Sequence, residues 1–88
     1  MRKKSKRLLM DYLSMQIRIF RGKEDLTQEK MAEKLHITPR SYFDLEHGKS
    51  GFSAMSLIYF LLLLSDEDII KFIGNFRKLL QRSEKDVA

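Results

Sequence analysis

An 88-residue chain with a formal charge of +5 and a pI near 9.6 has room for one core of about five helices, but not for a core plus an effector domain. Its charge favours a polyanionic partner, and taken alone fits DNA, RNA or an acidic membrane surface equally well. The lack of Cys excludes disulfides and thiolate metal sites, in keeping with a reducing cytoplasm; two His are too few for a metal centre, so neither metal nor other cofactor is expected.

The first seven residues are basic (MRKKSKR), and the stretch after them carries Asp11 where a secretory leader needs an unbroken apolar run. From Lys3 to Phe20, the residues Leu9, Leu13, Ile17 and Phe20 recur at spacings of four and three with Tyr12 beside them, which predicts an amphipathic first helix. Arg2, Lys3, Lys4, Lys6 and Arg7 oppose the dipole of that helix, so this start is expected either to fray as a solvated tail or to engage something anionic. Gly22 to Asp25 read as the polar turn out of it.

Residues 27–47 encode two short helices. Thr27 caps the first, Glu29 suits its opening turn, and Met31, Ala32 and Leu35 form its inner face. Thr38 caps the second and Pro39 opens it, at a position where the missing N–H costs nothing. Gly48 stops it, and only His36 and Ile37 remain to turn the chain between the two, which forces a sharp corner. At about 100° per residue, Tyr42, Leu45 and Glu46 fall on the packing side of this second helix and Arg40, Asp44 and His47 on the other. Ser53 caps a fourth helix to about Leu64, and Ser65, followed by Asp66, Glu67 and Asp68, caps a fifth over 65–84. The apolar run Leu57 to Leu64 is far short of the roughly 18 residues of a membrane span. With no strand signals, one all-α domain over 1–88 is expected.

The chain resembles the phage-repressor and Cro family of helix-turn-helix proteins, the XRE-type regulators. Ile17, Arg18 and Arg21, the triplet Leu26-Thr27-Gln28, then Ala32, Leu35, Ile37-Thr38, Tyr42, Leu45-Glu46 and Gly48-Lys49 carry the likeness. It continues in register through Ser53 and Leu57 to Leu64 without a gap. The resemblance implies a compact five-helix lambda-repressor-like domain whose helix-turn-helix, helices 2 and 3, reads double-stranded DNA in the major groove. It assigns base contacts to Pro39, Arg40, Ser41 and Asp44 and phosphate contacts to Gln28 and Thr38, with Lys49 and Ser50 as further phosphate candidates. Helix N-termini offer free N–H groups to phosphate, and Arg40 can bind guanine O6 and N7 together. Against this stands an ordinary Arg40–Asp44 pair on a solvated face. Arg21 and Glu46 match a pair that bridges helix 1 to the end of the recognition helix.

Three departures matter. His36 stands where the family most often has Gly, at a position that usually needs φ > 0. Phe43 replaces a polar residue and either touches a thymine methyl or meets another protein. Helix 4 is apolar all round, where the family keeps polar residues at Tyr59 and Leu62 and small ones at Leu61 and Leu63. Leu57, Phe60, Leu61 and Leu64 suffice for the core, which leaves Ile58, Tyr59, Leu62 and Leu63 on the far side. A homodimer through Tyr59, Leu62, Leu63, Ile73, Phe76 and Leu80 is therefore expected, cover by the chain's own fifth helix being the alternative. The expected function is a cytoplasmic, non-enzymatic dimeric repressor on a palindromic operator; the rival is an antitoxin that binds a toxin and represses its own operon.

Overall fold

In a computed structural model the structure describes residues 3–87, and side chains over 4–84. Among the described residues there are five helices and no strand: α1 Lys3–Lys23, α2 Gln28–Lys34, α3 Pro39–Glu46, α4 Ala54–Leu62 and α5 Asp66–Val87. Short polar side chains set four of the starts. The hydroxyls of Thr27, Thr38, Ser53 and Ser65 each accept from the backbone N–H three residues on, at 3.1 Å, and each such cap stabilises by about 1 kcal/mol.

Two boundaries differ from the sequence reading. Helix α1 runs through Gly22 to Lys23 instead of ending at Phe20, and the left-handed turn falls on Asp25, at φ 55°. Asp tolerates that conformation because its short side chain can bond locally, and the corner closes as Leu26 N–H donates to the Arg21 carbonyl at 3.0 Å. Helix α4 ends at Leu62, two residues early, because Leu63 and Leu64 donate to the carbonyls three residues back and tighten the last turn. Of the basic start, residues 1–2 and the side chain of Lys3 lie outside the described residues. Lys4, Lys6 and Arg7 lie on helix α1, and Arg7 pairs with Asp11 at 3.4 Å on an exposed face.

The core gathers one or more side chains from every helix, with Ile17, Met31, Leu35, Tyr42 and Phe60 fully buried. Phe60 is its hub: its ring meets Phe20 edge-on at 5.7 Å and Phe72 at 5.8 Å. Each such aromatic pair adds about 0.5–1.5 kcal/mol beyond the area it buries. Helix α5 is fixed to α1 by Tyr12, whose ring lies 5.3 Å from Phe72 and 5.1 Å from Phe76 and whose hydroxyl donates to the Phe72 carbonyl at 2.7 Å. Burial pushes the Tyr12 pKa up. Helix α4 keeps Ser56 and Phe60 inward but leaves Met55, Ile58 and Leu62 exposed, at 62%, 51% and 71%. These three lie along one face at helical spacing. Tyr59 and Leu63, expected on the far side, lean half-buried against the core instead. No described helix is long and apolar enough to cross a membrane.

Candidate nucleic-acid interface

The corner between α2 and α3 is His36, at φ 59°. Its ring stacks on Tyr59 of α4 at 4.1 Å and 29°, so the turn is braced from behind. With Tyr42, Leu45 and Glu46 buried inward, helix α3 turns Pro39, Arg40 and Ser41 to solvent, with Asp44 partly exposed beside them.

The inward edge of α3 is tied down by polar bonds. Arg21 reaches Glu46 with Nε to Oε2 and Nη2 to Oε1, both 2.8 Å, and its Nη1 donates to the Leu26 carbonyl at 3.1 Å. Gln28 donates to Glu46 Oε1 at 3.2 Å, and the buried Ser14 hydroxyl donates to the Glu46 carbonyl at 2.8 Å. Burial alone would push the Glu46 carboxyl up; the polar hydrogens of Arg21, then Tyr42 and Gln28, outweigh it and hold the group below its ordinary value. The Tyr42 hydroxyl is buried beside this carboxylate without a hydrogen bond of standard geometry, and burial first, then the carboxylate, pushes its pKa well up.

On the outward side, Arg40 Nε lies 3.6 Å from Asp44 Oδ1, an ion pair too long for a hydrogen bond, with the arginine 82% exposed. That Asp44 oxygen is buried and makes no hydrogen bond. Asp44 and Ser41 line a cleft against Ser50, Gly51, Ser53 and Ser56. Thr38, besides capping, donates its hydroxyl to Ser41 Oγ at 3.0 Å. Gly48, at φ 70°, turns the chain where a side chain would be strained. Lys49, just beyond it, holds its ammonium 5.5 Å from the Phe43 ring centre.

The chain therefore brings Pro39, Arg40, Ser41 and Asp44 onto one helix capped by Thr38, with Gln28 on the neighbouring helix at the Glu46 end and Lys49 just past that end. Sequence reasoning missed Ser14 and placed Tyr12 on the apolar face without its hydrogen bond, since a hydroxyl there carries no signal of the carbonyl it will meet. Among the described residues no group of three or more His, Asp or Glu side chains could hold a metal ion.

Residues 17–58 match a helix-turn-helix family model. The crystal structure of the clp gene regulator ClgR from Corynebacterium glutamicum is similar, with a TM-score of 0.62 and 27% identity over 90% of this chain and 85% of that one. No functionally curated protein matches the chain.

Proposed function

Because the chain belongs to the XRE-type helix-turn-helix family and is a DNA-binding regulator of transcription, we propose that it represses by occupying a palindromic operator as a homodimer. The exposed face of α3 carries this reading. Arg40 and Ser41 are free of the core there, at the end of the helix whose positive potential favours an anionic backbone. Arg40 reads guanine, Ser41 and Asp44 adapt to neighbouring bases, and Pro39 shapes the helix start. Gln28, Thr38 and Lys49 hold phosphates and set the register. No catalytic role is part of the reading, and its site of action is the cytoplasm.

The dimer is supported by Leu62 of α4 and Ile73 of α5, both exposed; Tyr59, Leu63, Phe76 and Leu80 are half-buried, so they contribute their outer edges. Exposed Met55, Ile58 and Ile70 extend the apolar surface of the same two helices. Two-fold pairing would set the recognition helices about 34 Å apart, one helical turn of DNA. A toxin-like protein is the other occupant such a surface would suit.

Selection of binding sites from random duplexes tests the reading. A symmetric consensus supports it, and recovery of no consensus overturns it. Co-purification of a second small protein in place of a homodimer would favour the antitoxin role.

A further inference from the structure

Phe43 is only partly exposed, yet its ring is not among those packed on the core. Its cover is local. His47 stacks on it at 4.0 Å and 24°, and the Lys49 ammonium lies 5.5 Å from its centre. His47 is itself held: a carbonyl can only accept, so Nδ1 donates to the Phe43 carbonyl at 2.9 Å. Taken at about 100° per residue, Arg40, Phe43, Asp44 and His47 share an arc of about 100° on the face opposite buried Tyr42, Leu45 and Glu46. An apolar plate is thus fixed on the outward surface of the recognition helix, between the cations of Arg40 and Lys49.

A ring already ordered loses little freedom when a ligand arrives. Its surroundings select the ligand: an apolar group set within an anionic frame. In the major groove that group is the 5-methyl of thymine, which no other base carries, with phosphates on either side. A protein partner would have to match the flanking cations with acidic groups as well. Three residues of helix separate Phe43 from Arg40 by about 4.5 Å along the axis, nearer to one base-pair step of about 3.4 Å than to two. Building on the DNA-binding reading above, we infer that Phe43 is a specificity-determining residue that reads a thymine methyl beside the base pair met by Arg40. His47 and Lys49 are positioning residues for its ring.

The test replaces each thymine of the selected operator singly by deoxyuridine, which removes the methyl and keeps the pairing. Affinities are measured by fluorescence anisotropy for the wild type, Phe43→Ala, Phe43→Leu and His47→Ala. One replacement per half-site is expected to weaken wild-type binding about threefold to fivefold, the worth of one buried methyl. Phe43→Ala binds the two operators equally, Phe43→Leu keeps part of the difference, and His47→Ala reduces it while still binding. A wild type indifferent to every replacement, or a Phe43→Ala protein as sensitive as wild type, overturns the inference and leaves Phe43 as a protein contact. If selection yields no operator at all, it is the DNA-binding reading that fails, and this assignment falls with it.

Discussion

Arg21 and Glu46, 25 residues apart in the chain, meet through two parallel hydrogen bonds of 2.8 Å, with Glu46 only 5% and Arg21 28% exposed. This fork ties the last turn of the recognition helix to α1. A planar guanidinium is needed for it, and a lysine could supply only a point charge. Glu46→Ala is expected to cost about 2–4 kcal/mol, because it leaves a partly buried guanidinium unpaired. Arg21→Lys, which keeps the charge but not the fork, should cost more than half as much. Thermal and urea unfolding measure both, and an unchanged midpoint in Glu46→Ala would mean that the fork contributes nothing to the fold.

The same carboxylate sets a pH dependence. Glu46 titrates below its ordinary value in the folded chain, so the folded state binds fewer protons than the unfolded one as pH falls through that range. Its stabilisation is complete above the unfolded value and is lost as pH drops through the folded one. Urea midpoints measured from neutral pH down through the acid range should fall for the wild type and fall less steeply for Glu46→Gln. Parallel curves would show that other carboxylates govern acid unfolding.

Arg40 and Gln28 are expected to fail differently. Arg40→Ala should relax preference at one base pair per half-site and cost about 1–3 kcal/mol on the selected operator. The Arg40–Asp44 pair lost with it is a surface pair worth only about a few tenths of a kcal/mol. Gln28→Ala should weaken all sequences alike, since it removes the proposed phosphate contact and one brace on Glu46. Titrations on the operator and on single-base variants separate the two, and uniform weakening by both would end the proposed division of labour.

Leu62→Glu probes the dimer. Leu62 is 71% exposed in the single chain, so a charge there should leave folding intact, yet it would be buried unpaired in a two-fold interface and cost several-fold or more in association. Analytical ultracentrifugation should show a dimeric wild type and a monomeric variant. A wild type that remains monomeric at high micromolar concentration removes the proposal.

His36 separates strain from packing. Replacing it by Ala or by Gly removes the ring that stacks on Tyr59 in both cases, but only Gly relieves φ 59°. His36→Ala should therefore be less stable than His36→Gly by about 1 kcal/mol. Equal melting points would show that the left-handed corner carries no strain.

Much of the fold was legible because short polar side chains at Thr27, Thr38, Ser53 and Ser65 announce helix starts by chemistry that works locally. His36 was legible in two steps: the two residues left between the helices call for a sharp corner, and the resemblance puts a residue that usually needs φ > 0 at that position. The end of α1 was not: Gly22 looks like a stop but lies inside the helix, while Asp25 takes the corner, a choice enforced by the Arg21 carbonyl accepting from Leu26 N–H. On α4 the alternation of faces was readable in outline, but Tyr59 turned toward His36 because a ring from another element was waiting there. The outward set on α3 followed from periodicity; the orphaned Asp44 oxygen and the stack on Phe43 depend on side-chain rotations that no spacing rule contains.

Asp25, His36 and Gly48, with φ of 55°, 59° and 70°, mark three corners that each turn on one left-handed residue. The links holding Asp25 and His36 are only four residues long and have little slack, so a position added or deleted there would shift the following helix off its packing face, whereas the link at Gly48 runs on through Ser53. Length at the first two corners is therefore frozen, but the side chains at 40, 41, 43 and 44 touch little that the core depends on. On the proposed reading, such a segment behaves as an interchangeable cartridge, in which a new set of outward residues can change the sequence recognised while the stance of the helix on its body stays the same.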